Sequence, residues 1–199
     1  MPQNFALILN FEPYFQPMNQ ILKTLPSGIN VNVAYVGDLS GSTAYLHYKR
    51  YDKRLVEGFI DGAKQQYEAM LALKTIPSLK YLIEAFGVKF DTLVVIPSSC
   101  NDMAPYLETV KQTHRMRDIS SLFRKAADYR ARDCKAGMDE VVKNINYQSD
   151  QLENEINGLL ILDDSVGTGK TVNSIILHLL KNGMGKDVPI LVATPLLVA

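Results

Sequence analysis

Two short runs, LVVI at residues 93–96 and LLIL at residues 159–162, are apolar at every position. Four residues are too few for a helix that stands alone, and a strand with one wet face would alternate apolar with polar side chains. Each run is therefore read as a strand buried on both faces, the position a strand holds in a parallel sheet layered between helices. A third run, ILVA at residues 190–193, has the same character.

The intervals carry the helices that such a sheet needs. Leu79, Leu82, Ile83 and Phe86 recur at helical spacing between Ser78, a capping residue, and Gly87, a stop. Pro105 suits the first turn of a helix reaching Lys111. Val172, Ile175, Ile176 and Leu179 form another stripe, ended by Gly183. Upstream, strands are expected at residues 5–12, 29–37 and 43–51, with a helix at residues 17–25 between the first two. From Asp52 a longer helix is expected, faced by Leu55, Val56, Phe59, Ile60, Ala63, Tyr67, Met70 and Leu71. Residues 113–157 are polar and read as two helical pieces, one lined by Ile119, Leu122, Phe123 and Ala126, the other by Val141, Val142 and Ile145.

Strands alternating with helices predict an α/β fold with a mostly parallel central sheet and helices on both faces. Ligands of such sheets bind beyond the carboxyl ends of the strands, which singles out the segments after Ile96 and after Leu162.

Composition narrows the choice of partner. The 199-residue chain is 47% hydrophobic, enough for a substantial core, and its formal net charge is zero. No global field therefore draws in nucleic acid or an anionic membrane. Cys100 and Cys134 are too few for a disulfide framework and lack the paired spacing of a zinc site, which points to a reducing, cytoplasmic setting. The apolar N-terminal run has no basic segment before it, and no stretch approaches the roughly 20 apolar residues of a membrane helix.

Residues 159–171 read LLILDDSVGTGKT. Gly169, Lys170 and Thr171 match the end of the phosphate loop G-x-x-x-x-G-K-[ST], but its first glycine falls on Asp164. A carboxylate there repels a polyphosphate, and the short remainder of the chain leaves no later strand ending in Asp to hold magnesium. A nucleotide hydrolase is thus an alternative with two marks against it. The residues suit a different ligand better. A strand delivers the chain to a glycine-bearing turn at a helix start, where N–H groups without helical partners favour a monoester phosphate. Gly167 and Gly169 allow close backbone approach, and the hydroxyls of Ser165, Thr168 and Thr171 can donate to phosphate. Asp163 and Asp164 are acceptors only, matched to the two donors of a ribose 2',3'-diol. Taken singly, an Asp pair before a helix is also an ordinary cap, and Thr-Gly an ordinary turn.

The whole pattern, four apolar residues, two acids, three small residues and T-G-x-T, resembles the phosphoribosyl pyrophosphate (PRPP) motif of type I phosphoribosyltransferases. The resemblance implies a Rossmann-like core at residues 86–199 and an N-terminal α/β extension or hood at residues 1–85. It implies that Asp163, Asp164, Ser165, Val166, Gly167, Thr168, Gly169 and Thr171 hold the ribose and 5'-phosphate of PRPP or of a nucleotide monophosphate. Mg2+ would arrive mainly through the ligand, without a direct protein site. The implied activity is transfer of the phosphoribosyl group to an acceptor that the sequence does not name, within cytoplasmic nucleotide metabolism, and a homodimer is compatible with it. The same fold used as a PRPP- or nucleotide-sensing module without turnover is the alternative. In the family a second loop binds pyrophosphate through backbone N–H groups. Its candidate here is Ser98, Ser99, Cys100 and Asn101, which holds neither glycine nor cation. The order of these loops, with LHYKRYD upstream at residues 46–52, also resembles the ComF-like branch.

Between the two loops the charge switches sign. Residues 111–135 hold eight Lys or Arg against three Asp, and residues 139–155 hold five acids against Lys143. Two solvated segments that attract each other explain this, and so does a mobile basic cover that brings Arg130, Arg132 and Lys135 to pyrophosphate.

Overall fold

The computed structural model describes residues 18–38, 79–97, 104–126, 138–148, 152, 154–163 and 166–197. The strands expected at residues 5–12 and 43–51 and the helix expected from Asp52 lie outside the described residues. Strands β1 (Asn19–Thr24) and β2 (Asn30–Asp38) come first, followed by helix α1 at residues 79–85 and β3 (Thr92–Val95). Next come α2 (Ala104–Thr113), β4 (Arg117–Asp118) and β5 (Phe123–Lys125), the last two joined by a 3-10 turn at Ser120–Leu122. The chain continues through α3 (Met138–Asn144), β6 (Ile145–Tyr147), β7 (Leu159–Leu162), α4 (Lys170–Lys181) and β8 (Ile190–Leu197).

Six strands form one sheet in the order β1-β2-β8-β7-β3-β4. All neighbours in it run parallel except β1, which pairs antiparallel with β2 at the edge. The fold is α/β with a mostly parallel mixed sheet. β1 and β2 belong to that sheet, since β2 pairs with β8 from Asn32↔Leu191 to Asp38↔Leu197.

Alternation along the buried strands divides the core into two layers. Leu159 and Ile161 of β7 and Val94 of β3 pack on one face with Val141 of α3 and with Val172, Ile175, Ile176 and Leu179 of α4. Leu160 and Leu162 pack on the other face with Leu93, Leu79 and Leu82 of α1 and Val110 of α2. Each fully buried Leu or Ile contributes about 1.5–3 kcal/mol, so these layers dominate the stability. Among the described residues, no helix is long and apolar enough to cross a membrane.

Two expectations are corrected. Residues 17–25 were expected as a helix, but residues 19–24 form β1. The turn explains the difference: Gly28 takes φ +84, and Leu25 and Ile29 close the hairpin through a 2.8 Å backbone hydrogen bond. A six-residue segment next to such a turn gains more from pairing with β2 than from an isolated helical turn. The stripe Ile119–Phe123 is not a helix either. It runs through the 3-10 turn into β5, and Ile145, expected on a helix, begins β6. Phe123↔Tyr147 and Lys125↔Ile145 pair as a small antiparallel hairpin that local periodicity does not reveal.

Candidate functional site

β3 and β7 lie side by side, and at this pair the strand order reverses. From β3 the chain moves outward to β4, then returns to place β7 on the opposite flank of β3. In open α/β sheets the crevice beyond such a switch point is where ligands bind. The two strands end level: Val95 pairs with Leu162, and Ile96 N–H donates to Leu162 O at 2.9 Å. Both segments singled out in the sequence therefore start from this one place. Ser98, Ser99, Cys100 and Asn101 lie outside the described residues, as do Asp164, Ser165, Arg130, Arg132 and Lys135.

From β7 the described residues reach Asp163 and resume at Val166. Asp163 is buried at the strand end, and its N–H donates to Ala193 O at 3.1 Å. Val166, also buried, bridges to Leu197 and so extends the sheet by one contact. Gly167 and Thr168 then lead to Gly169, the N-cap of α4, with φ +75. That left-handed backbone favours glycine, which as the N-cap residue has no side chain to cap the helix. Asn173 N–H makes the first helical bond, to Gly169 O at 2.8 Å, so the three amides before it have no helical acceptor. The first turn of α4 holds no acid, which leaves its positive end unneutralised by the helix itself. Thr171 is half-buried and Thr168 exposed.

The structure adds residues that the sequence reading did not select. A Cβ placed on Gly169 would lie 2.6 Å from Leu25 Cδ2 and 3.6 Å from Lys23 Cε, so the end of β1 and its turn rest against this loop. The turn is held there by Asn173, whose Oδ1 accepts from the backbone N–H of Ser27 at 3.3 Å and from its hydroxyl. Asn173 and Ser174 are fully buried polar residues within an apolar helix face. That pattern, visible in the sequence, was the available signal for a distant partner.

Beside the end of β3, Val95 N–H donates to Ser120 Oγ at 2.7 Å, and Ser120 N–H and Oγ donate to Asp118 Oδ1. Burial pushes the Asp118 carboxyl up, but the Ser120 hydrogen bonds and Lys111 outweigh it and hold it below the usual aspartate value. Lys111 itself bridges Glu108 at 2.9 Å and Asp118 at 3.0 Å. Arg117 donates to Thr92 Oγ1 and to the carbonyl of Glu155, each at 3.0 Å. Two cations of the basic stretch are thus structural. Arg124 and Lys125 lie on β5, and the β5–β6 pair is closed by Ala126 N–H donating to Asn144 O at 3.0 Å. Tyr147 of β6 stacks on His178 of α4 with ring centroids 6.0 Å apart, so this pair is packed on the helix that follows Gly169.

Among the described residues, no group of three His, Cys, Asp or Glu side chains could cage a metal. Magnesium commonly binds through substrate phosphates, with few ligands from the protein. The chain matches no model of a known protein family and no curated protein.

Proposed function

We propose that the chain binds the phosphoribosyl group of PRPP or of a nucleotide monophosphate at the carboxyl ends of β3 and β7, and transfers it from PRPP to an acceptor. The observation that carries this reading is the placement of the LLILDDSVGTGKT segment: its strand is one of the switch-point pair, and its glycine-rich end starts a helix with no capping side chain.

In this reading the amides from Gly167 to Val172 and the Thr168 and Thr171 hydroxyls receive the 5'-phosphate. Asp163 and Asp164 accept from the ribose diol. Ser98, Ser99, Cys100 and Asn101, which follow β3 in sequence, present backbone N–H groups to pyrophosphate, and Arg130, Arg132 and Lys135 close over it. Magnesium enters on the pyrophosphate and offsets the charge that develops as the C1'–O bond breaks. The protein's share of the work is holding the ribose phosphate in position, for which no protein general base is needed.

Thermal shift separates this reading from nucleotide hydrolysis. PRPP with Mg2+ should raise the midpoint, by about 2.7 kcal/mol of stabilisation at a hundredfold excess over Kd. Ribose 5-phosphate should stabilise less and ATP hardly at all. Stabilisation by ATP with none by PRPP or ribose 5-phosphate would overturn the proposal.

A further inference from the structure

We propose that Lys23, on the edge strand β1, is the cation that faces the phosphate bound at the start of α4; this rests on the reading of the 163–171 loop given above. The segment itself contributes Lys170, the first residue of α4, but the approach of β1 comes from 146 residues upstream of Gly169.

Three observations converge on Lys23. Every other residue of β1 is exposed, whereas Lys23 is half-buried, with Cε 3.6 Å from the point a Gly169 Cβ would occupy. The missing side chain at Gly169 makes room for Leu25, two residues along, and the lysine stem lies within ordinary contact distance of the same point. The ammonium one bond further on has no ion pair among the described residues, unlike Lys111, which is held between Glu108 and Asp118. A cation placed against the positive end of a helix is also electrostatically wrong, because like charges meet there. Nothing acidic in the first turn of α4 relieves it. An anion between the ammonium and the helix amides reverses the sign of both interactions at once, so the arrangement itself calls for a negatively charged ligand.

The β1–β2 hairpin that carries Lys23 is fixed to α4 through Ser27 and Asn173. The lysine is therefore delivered by an anchored hairpin rather than by a free end. Its recognition is for a phosphate monoester, the group that ribose 5-phosphate and inorganic phosphate share.

The test is calorimetric titration of the full chain with ribose 5-phosphate, as wild type, Lys23→Gln and Lys23→Arg. A hydrogen bond between charged groups predicts that Lys23→Gln binds about tenfold or more weakly, while Lys23→Arg stays within about threefold of wild type. Both variants should melt with the wild type, because Lys23 is on an edge strand and makes no ion pair among the described residues. Affinity for Lys23→Gln within about twofold of wild type would overturn the role of Lys23 and leave the loop assignment standing. A wild type that binds no ribose 5-phosphate would overturn the loop assignment, and Lys23 with it. Inorganic phosphate as competitor should displace ribose 5-phosphate from wild type more effectively than from Lys23→Gln, and equal displacement would count against the lysine.

Discussion

The two ends of the parallel sheet are built in opposite ways. Where β3, β4 and β7 begin, side chains tie the strands together: Asp91 accepts from Asn157 Nδ2 at 2.7 Å and from Thr92 Oγ1 at 2.9 Å, and Arg117 reaches Thr92 and the Glu155 carbonyl. Gly158 packs so closely that a Cβ there would lie 2.4 Å from Lys89 O and 2.9 Å from Phe90 Cα. Where β3 and β7 end, a capping side chain is missing, the glycine has a positive φ, and its nearest neighbours are the ends of flexible side chains, Leu25 and Lys23. At the first end Asp91, Thr92, Asn157 and the Glu155 carbonyl are joined by side-chain hydrogen bonds, whereas at the second the three amides before Asn173 have no helical acceptor, which is the physical difference between a clasp and a candidate binding site.

That contrast is broken most severely by Gly158→Ala. Backbone atoms cannot yield as a side-chain tip can, so the variant should lose roughly 3 kcal/mol in denaturant unfolding, the upper range for overpacking. A loss below 1 kcal/mol would show that the strand entry is not tightly packed. Asp91→Ala comes next, at about 1.5 kcal/mol, because Asn157 and Thr92 lose their acceptor. Gly169→Ala should cost about 1 kcal/mol from the left-handed backbone, since the Leu25 side chain can move aside. Its larger effect should be on ribose 5-phosphate binding, and a binding-neutral Gly169→Ala would blur the distinction between the two ends.

The smallest expected effect concerns pH. Burial, with the Lys80 charge added, holds His114 below the ordinary histidine value. The folded chain thus favours the neutral ring, and the stability this confers is present above the ordinary value of about 6.5 and lost as pH falls from there toward the lower folded value. For Asp91 and Asp118, burial pushes up but hydrogen bonds outweigh it, so both are depressed. Their contribution holds above the ordinary carboxylate range and is lost below about pH 4. Replacing His114 with Gln should therefore flatten the decline between neutral and mildly acid pH and leave the steeper acid limb unchanged. An unaltered profile in unfolding midpoints across this range would refute the assignment.

What could be read in the sequence follows from how local each signal is. The strands β3, β7 and β8 announce themselves because four apolar residues in a row have few other fates, and α1 and α4 carry their own stripes and terminal glycines, Gly87 and Gly183, both with positive φ. β1 was misread because a helical stripe and a two-faced edge strand place apolar residues similarly over six positions. The β5–β6 hairpin escaped since three-residue strands acquire their identity only from a partner far along the chain, as Phe123 does from Tyr147. The same holds at the site. The residues of the candidate loop stand together in sequence, whereas the contacts of Lys23 and Leu25 with Gly169 and of Ser27 with Asn173 depend on a pairing of β1 with β2 that no local pattern encodes.

The central claim, that one end of the sheet is the phosphoribosyl site and the other is structural, is tested most directly by amide chemical-shift mapping with ribose 5-phosphate. The account predicts that the signals of Asp163 and of Gly167 through Val172 move with added ligand while those of Asp91, Arg117, Asn157 and Gly158 stay in place. Shifts concentrated at the strand entries, or none at either end at millimolar ligand, would contradict it.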